Sequence, residues 1–237
     1  MRKIRTPFFE IGVKNYVYGD AVLEMALQAD RAAAEYDLDI LFITPYTEIR
    51  RVAEQTRHLI VLAPYMDTLS PGRGMADILP EAIAAAGARG VVVNHCEKPL
   101  SLPVLRRTIQ RAHELDLLVF ACAGSVPEAQ AVALLGPEIV NPEPEENIGS
   151  GQTSDPAFVA LSNQAVRRVD PAILVEQAAG VTCGQQVYDL ILAGADGVGA
   201  ASGIFRAADP VAALWDMVSG AARARDELRK QKKELQP

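Results

Sequence analysis

Residues 90–121 read GVVVNHCEKPLSLPVLRRTIQRAHELDLLVFA, and this stretch decides the fold. Its two apolar runs, residues 90–94 and 117–121, are short and rich in Val, Leu and Phe, which predicts buried strands. Between them, residues 102–115 carry Leu, Ile and Ala on one face and arginines on the other, which predicts an amphipathic helix. Because parallel strands need a helix's length of chain between them, the stretch predicts a parallel strand–helix–strand unit.

The same alternation extends in both directions along the chain. The other predicted strands are residues 8–13, 39–44, 59–63, 138–142, 173–177 and 196–200. A second clear helical pattern covers residues 21–36. Eight such units in 237 residues predict a single-domain α/β fold, a closed (β/α)₈ barrel over residues 1–237, with a doubly wound sheet as the alternative. Residues 221–237 are predicted to form a charged C-terminal helix end or a frayed tail.

The composition excludes some classes of function. Hydrophobic residues make up 49% of the chain and aromatic residues only 5%, which predicts a core of Ala, Val, Ile and Leu like that of a barrel interior. The formal net charge of -7 argues against a nucleic-acid partner, whose phosphates are neutralised by Lys and Arg. It does not argue against one small phosphorylated ligand, because a few backbone amides can hold a phosphate.

Cysteine usage and hydropathy predict the cellular location. Cys96, Cys122 and Cys183 are far apart and form no C-x-x-C pair, which is typical of reduced thiols. The segment MRKIRTPFFEIG has no apolar run long enough for a signal peptide, and no stretch approaches the ~20 apolar residues of a membrane span. We therefore expect a soluble, cytoplasmic protein without a membrane partner.

The ends of the predicted strands carry the candidate chemistry, because the active site of a barrel lies at the carboxyl ends of its strands. Lys14 follows the first strand, and Glu143 directly follows the sixth. Asn94, His95 and Glu97 lie at the end of the fourth. A carboxylate can remove a proton next to a carbonyl, an imidazole can donate to the developing enolate oxygen, and a lysine can stabilise its charge.

The seventh and eighth predicted strands end in QAAGVT and GAASGI, in which small residues predominate. Small residues let backbone N–H groups approach a phosphate, and barrels often keep a phosphate site after these two strands. The glycines of these loops could equally be ordinary turn residues.

Each candidate residue also has a simpler explanation. Glu143 lies in an acidic loop and could be a solvated carboxylate, His95 a buried core histidine, and Lys14 a surface lysine. Cys96 beside His95 could be a nucleophile. A metal could be bound by His95, Glu97 and Glu143, although their spacing matches no metal motif.

Five segments at these strand ends resemble the signature segments of the triosephosphate isomerase family, in particular of its shorter archaeal-type members. They are FFEIGVKNY, VVVNHCEK, PEPEENIGSG, AAGVTCGQQV and GADGVGAASGIF. A sixth segment, MDTLSPGRGMADILPEAI, resembles the interlocking third loop of the family and the helix that follows it. The resemblance runs in order across roughly residues 6–220 and implies the (β/α)₈ TIM barrel.

The resemblance also implies roles for the candidate residues. Glu143 would be the catalytic base, His95 the electrophile, and Lys14 the substrate-binding cation that pairs with Glu97. In this family the histidine is a neutral imidazole whose pKa is lowered by a helix N-terminus. Residues 144–151 would form a mobile lid. The implied substrate-binding positions are Gly12, Gly149, Ala179, Gly180, Ser202 and Gly203, with Ala178 and Ala201 in the same loops.

Three positions depart from the family pattern. The family has an asparagine where this chain has Gly12, a third-loop threonine where it has Met75, and a serine where it has Cys96. The loss of the asparagine side chain predicts a pocket that is larger and less polar beside the reacting atoms. A tetrulose phosphate, such as erythrulose phosphate, is therefore an alternative to a triose phosphate as the substrate.

The sequence as a whole predicts an aldose–ketose isomerase of carbohydrate metabolism, in the manner of glycolysis, that acts on a small phosphorylated sugar through a cis-enediolate. The reaction would need no cofactor and no metal. The resemblance implies a homodimer or a homotetramer. The other hypotheses are a non-catalytic barrel that binds a phosphorylated ligand, and a different phosphate-binding barrel enzyme such as a lyase or synthase.

Overall fold

The computed structural model describes residues 3–234, which form a closed barrel of eight parallel strands in sequence order. The strands are β1 (Phe8–Gly12), β2 (Ile40–Ile43), β3 (Leu59–Ala63), β4 (Gly90–Val93), β5 (Leu118–Ala123), β6 (Ile139–Pro142), β7 (Leu174–Gln177) and β8 (Gly197–Ala200). Strand β1 pairs with both β2 and β8, which closes the barrel. The predicted (β/α)₈ fold is therefore confirmed. The alternative of a doubly wound sheet is wrong, because such a sheet is open at both edges.

At least one helix follows every strand. The helices are α1 (Asp20–Tyr36), α2 (Ile49–Gln55), α3 (Pro80–Ala85), α4 (Leu102–His113), α5 (Val126–Ala133), α6 (Pro156–Val169), α7 (Gly184–Leu192), α8 (Ser202–Phe205) and α9 (Pro210–Glu234). The residues at the N-termini of several helices favour the start of a helix at those positions. Proline lies in the first turn of α3, α4, α5 and α6. An N–H group at that position would have no acceptor within the helix, so its absence in proline costs no hydrogen bond. The side chains of Ser125 and Asp155 cap α5 and α6 by accepting from N–H groups of the first turn.

The predicted boundaries agree with the observed ones to within two residues. The strand predicted at 59–63 is Leu59–Ala63, and the helix predicted at 21–36 is Asp20–Tyr36. Among the strands, the largest difference is at the fifth, predicted at 117–121 and observed at Leu118–Ala123. Its extra residues, Cys122 and Ala123, are small and carry no strong strand signal, but they pair with β6 and so extend the strand.

Side chains alternate between the inside of the barrel and the layer under the helices, as the pleat of a strand requires. The interior cluster includes Phe8, Leu41 and Phe120. The larger cluster between strands and helices includes Phe9 and Ile40 from the same strands. By this alternation Phe8, Glu10 and Gly12 of β1 all face the inside, and Gly12 is the one nearest the mouth.

The C-terminal helix α9 packs on the barrel over much of its length. Residues 221–234 continue this helix, and Ala221, Ala222 and Ala224 are buried. Arg225 donates a hydrogen bond to the carbonyl oxygen of Tyr36, at the end of α1. Residues 235–237, at the tip of the predicted tail, lie outside the described residues. Among residues 3–234, no helix combines the length and apolarity that a bilayer crossing needs.

Candidate active site

A cavity of about 560 Å³ opens at the carboxyl ends of the strands. Lys14, His95 and Glu143 all line it, although they come from three separate strand ends. The loop that carries His95 is fixed by Asn94, whose side chain donates to the carbonyl oxygen of Cys122 at 3.0 Å and accepts from the N–H of Leu100 at 2.9 Å. The convergence of a cation, an imidazole and a carboxylate on one cavity agrees with the prediction from strand ends.

His95 is oriented by a backbone hydrogen bond. Its Nδ1 accepts from the N–H of Glu97 at 3.1 Å, so the ring proton is on Nε2. That nitrogen lies 3.6 Å from Oε2 of Glu143, across the space where a reacting group would sit. Burial lowers the pKa of His95, and the charge of Lys14 lowers it further, against the opposing effect of Glu97. The ring is therefore a neutral N–H donor at pH 7.

Lys14 contributes the positive charge of the site. Its Nζ lies 3.3 Å from Oε1 of Glu97, and its backbone has a φ of 47°, a conformation that few residues other than glycine adopt. Burial alone would lower the pKa of Lys14, but the carboxylates of Glu97 and Glu143 outweigh it, so the pKa is raised. The ammonium is therefore charged at neutral pH and can stabilise an oxyanion.

Glu143 is the carboxylate positioned to act as a base. Its side chain is 11% exposed, and its N–H donates to the carbonyl oxygen of Ala123, which continues the β5–β6 pairing and fixes its position. Burial raises the pKa of Glu143, Lys14 opposes this increase, and Glu97 adds to it. A carboxylate with a raised pKa is a stronger base than one in water, which suits proton removal from carbon.

The loops after β6, β7 and β8 pack closely together through two glycines. A Cβ on Gly180 would lie 2.0 Å from the carbonyl oxygen of Gln152, and a Cβ on Gly203 would lie 2.0 Å from that of Val181. Only glycine allows these approaches, so both residues have a packing role whatever else they do. In α8, which begins at Ser202, the N–H groups of Ile204 and Phe205 both donate to the carbonyl oxygen of Ala201.

The predicted substrate-binding positions divide into two groups. Gly12, Gly149, Gly180 and Ser202 line the cavity. Ala179 is buried behind it, and Gly203 is not among the lining residues. The amide contacts predicted for all six positions stay predictions.

The alternative roles receive little support from the geometry. The Sγ of Cys96 lies 3.7 Å from Nδ1 of His95, but burial and then the charge of Glu143 raise the pKa of this thiol, which disfavours a thiolate nucleophile. Cys96 borders a second cavity, of about 420 Å³, which Glu143 also lines. Within residues 3–234, no cluster of three or more His, Cys, Asp or Glu side chains has a metal-binding arrangement.

The interior of the barrel holds two carboxyl groups that sequence reasoning missed. Glu10 of β1 is 5% exposed and Glu176 of β7 is fully buried. They flank Gly199 of β8, where an added Cβ would lie 2.2 Å from Oε2 of Glu10 and 2.7 Å from Oε1 of Glu176. Burial raises the pKa of both. The charge of Glu143 raises the pKa of Glu10 further, against the opposing effect of Lys14, and Glu10 and then Glu143 raise the pKa of Glu176. A count in steps of two back from Gly12 would have placed Glu10 inside the barrel.

The position of the Glu10 carboxyl also bears on the prediction that the pocket beside Gly12 is larger and less polar. A Cβ on Gly12 would lie 3.1 Å from Oε1 of Glu10 and 3.5 Å from the Cβ of Ala201. The space beside the glycine is therefore bordered by a carboxyl oxygen. The prediction of a less polar pocket at this point is wrong, because a side chain two residues earlier on the same strand face reaches up to it.

Comparison with known proteins assigns the family. The family model for triosephosphate isomerase matches residues 11–218. The triosephosphate isomerase of Methanobacterium bryantii is 33% identical over 219 residues, which cover 90% of this chain and 96% of the relative. That of Metallosphaera sedula is 34% identical over 229 residues, which cover 94% and 100%. The crystal structure of triosephosphate isomerase from Bartonella henselae matches with a TM-score of 0.74 and 16% identity. The match covers 94% of this chain and 100% of the Bartonella chain, and at this identity it supports the fold alone. The chain therefore belongs to the triosephosphate isomerase family of aldose–ketose isomerases.

Proposed function

We propose that this chain isomerises a small phosphorylated sugar, with Glu143 moving a proton between two adjacent carbons. The observation that carries the proposal is the 3.6 Å separation between Oε2 of Glu143 and the protonated Nε2 of His95, at the mouth of the cavity. A base and a neutral hydrogen-bond donor at this spacing can contact a carbon and the oxygen next to it at the same time.

Glu143, His95 and Lys14 each have one role in the proposed reaction. Glu143 removes the proton from the carbon next to the carbonyl, and the electron pair of that bond forms the carbon–carbon double bond of an enediolate. The carbonyl oxygen gains negative charge, which is stabilised by the Nε2–H of His95 and the ammonium of Lys14. The hydroxyl proton on the first carbon passes to the former carbonyl oxygen, and Glu143 returns its own proton to the former carbonyl carbon, which moves the carbonyl by one position.

The phosphate of the substrate is assigned to the loops after β6, β7 and β8. Gly149, Gly180 and Ser202 border the cavity on this side, and small residues there let N–H groups approach a phosphate oxygen. Residues 144–151 form the proposed lid. Its glycines, Gly149 and Gly151, have φ angles of 70° and 78°, which suit a segment that changes its backbone conformation.

Two substrates of this class are candidates. The named relatives are triosephosphate isomerases, which favours a triose phosphate. The glycine at position 12 favours a longer ketose phosphate, because a side chain that would otherwise fill part of the pocket is missing. We propose a tetrulose phosphate as the preferred substrate, and dihydroxyacetone phosphate as the alternative.

The location and the assembly are also proposals. Among residues 3–234 all the cysteines are free, which supports a reducing compartment such as the cytoplasm. The loop between β3 and α3 carries Met75, which is fully exposed and could pack against a second copy. We propose a homodimer or homotetramer, which light scattering at micromolar concentration would test, and a monomer would contradict it.

The catalytic role of Glu143 is tested by Glu143→Gln, which keeps the shape of the side chain and removes the base. We expect turnover of the sugar phosphate to fall by about 10²- to 10⁴-fold, the usual contribution of a general base. Binding of 2-phosphoglycolate, followed by calorimetry, should stay within a few-fold of the wild type.

The control for the loss of one negative charge is Glu24→Gln, at an exposed position of α1, which should leave turnover unchanged. If Glu143→Gln keeps more than a tenth of the wild-type turnover, the base is another group.

A further inference from the structure

The cavity does not end at the catalytic residues but continues into the barrel. Its lining includes Glu10, Thr44 and Asn141, together with Val92 and Phe120 of the interior. The continuation is possible because position 12 carries no side chain that would close the barrel at this level.

Three oxygen atoms in this inner part are buried and unpartnered. They are Oε1 of Glu10, Oγ1 of Thr44 and Oδ1 of Asn141, and none has a hydrogen-bond partner among residues 3–234. The three residues are 5%, 1% and 3% exposed and come from β1, the end of β2, and β6. A buried polar atom without a partner destabilises the folded protein. Three of them around one cavity are better explained by a ligand than by the needs of the fold.

The position of Glu10 depends on two glycines. A Cβ on Gly12 would approach Oε1 of Glu10 to 3.1 Å, and a Cβ on Gly199 would approach Oε2 to 2.2 Å. Any larger residue at position 199 would displace the carboxyl group from its present place. The two glycines therefore leave the room that the carboxyl group of Glu10 occupies.

The chemistry of the three groups selects the ligand. A buried carboxyl that keeps its proton, a threonine hydroxyl and an amide oxygen together supply both donors and acceptors, which is what an alcohol requires. A phosphate would be repelled by the carboxylate of Glu143, whose charge also raises the pKa of Glu10. An alkyl group would leave the oxygens unpaired.

We propose that Glu10, Thr44 and Asn141 form an inner subsite that binds the terminal hydroxymethyl group of a ketose phosphate longer than a triose. The proposal rests on the proposed function of the site, and extends it to substrate length. The phosphate lies at the loops, the reacting carbons lie between His95 and Glu143, and the far end of the carbon chain enters the barrel.

The test uses two substrates that differ by one hydroxymethyl group, dihydroxyacetone phosphate and erythrulose 1-phosphate. Exchange of solvent deuterium next to the carbonyl reports proton removal from either. We expect the wild-type kcat/KM for exchange to be at least about tenfold higher for erythrulose 1-phosphate, because a site built to bind a hydroxyl discriminates against an analogue that lacks it.

Two substitutions should remove this preference. Thr44→Val keeps the shape of the side chain and should lower the ratio of the two kcat/KM values by about five- to tenfold, as expected for one lost hydrogen bond. Glu10→Ala should lower this ratio at least as much. Glu10→Gln, which keeps a donor and an acceptor, should retain most of the preference for erythrulose 1-phosphate. The matched control is Glu128→Gln, in the separate second cavity, which should leave the ratio unchanged.

The failure of this inference is distinguishable from the failure of the proposed function. If both substitutions lower kcat/KM by one common factor for the two substrates, the inner oxygens serve the fold, and the inference is wrong while the isomerase stands. If the wild type exchanges neither substrate, the isomerase is wrong, and calorimetry then decides the subsite alone. A Kd about tenfold tighter for erythrulose 1-phosphate would support the subsite, and equal Kd values would overturn it.

Discussion

Among single residues, Lys14, His95 and Glu143 each have a pKa that is moved in the direction their proposed roles require. The lowered pKa of His95 keeps its ring neutral, so that the ring donates a hydrogen bond as an uncharged N–H group. The raised pKa of Glu143 makes it a stronger base, and the raised pKa of Lys14 keeps the ammonium charged. One arrangement links all three, because Glu97 pairs with Lys14 through its carboxylate and orients His95 through its N–H.

Sequence reasoning could locate these groups because each follows a strand of a barrel. It could not locate Glu10 and Glu176 in the same way. A glutamate within a strand is ordinarily read as facing solvent, and its burial becomes evident only when the barrel closes around it. The mutual approach of the two carboxyls also depends on Gly199, which lies on a third strand between them.

Glu176 allows a prediction about stability. Its pKa is raised above the ordinary 4.5 by burial and then by Glu10, so the folded protein keeps a proton that the unfolded chain releases. The stabilising effect of this proton is present at low pH and is lost as the pH rises through the raised pKa. Glu176→Gln should therefore increase Tm at pH 8, by about 2–4 °C for each kcal/mol regained, and much less at pH 5.

Thermal unfolding at the two pH values checks this prediction. Glu146→Gln is the control for the loss of one negative charge at an exposed position. A Tm increase of the same size at both pH values would mean that ionisation of Glu176 is not the cause.

Among the structural elements, the site depends on how the loops contact one another. Tyr16, after β1, stacks on Phe205 of α8 with ring centroids 5.8 Å apart, and Gly180 brings the loop after β7 against that after β6. The order of strands and helices was predictable from apolar runs and periodicity. The loop contacts were not, because they join residues that are distant in sequence and that only the closed barrel brings together.

The packing role of Gly180 is tested by comparison with a glycine in open space. Gly180 has a φ of 72° and Gly136 a φ of 75°, so alanine at either position meets a similar backbone penalty of about 1–2 kcal/mol. At Gly136 the added Cβ meets nothing within 4 Å, whereas at Gly180 it overlaps the carbonyl of Gln152. We expect Gly180→Ala to lower the free energy of unfolding by about 1–3 kcal/mol more than Gly136→Ala.

Chemical denaturation and calorimetry with 2-phosphoglycolate would measure both effects. Gly180→Ala should also weaken binding of this phosphate ligand by about tenfold, because the loops that border the phosphate end of the cavity would move apart. Equal losses of stability and unchanged binding for both variants would show that the loop contact has no role in the site.

For the whole molecule, the family and the barrel define the class of reaction, and the interior of the barrel bears on the proposed substrate. The residues at the mouth follow the pattern of the triosephosphate isomerase family, whereas the inner cavity below Gly12 is bordered by Glu10 and Asn141. The sequence predicted a change of substrate from Gly12 alone. The proposed inner subsite would give that change a chemical basis, because unpartnered oxygens border the space that the glycine leaves open.

The central claim is that the chain removes and returns a proton next to the carbonyl of a phosphorylated sugar. It is tested most directly by nuclear magnetic resonance of the wild-type protein in D₂O with a panel of sugar phosphates of three to five carbons. The account predicts deuterium at the carbon next to the carbonyl of at least one ketose phosphate, at a rate proportional to protein concentration. If no sugar phosphate of the panel acquires deuterium although one of them binds, the barrel is a binding protein and the account is contradicted.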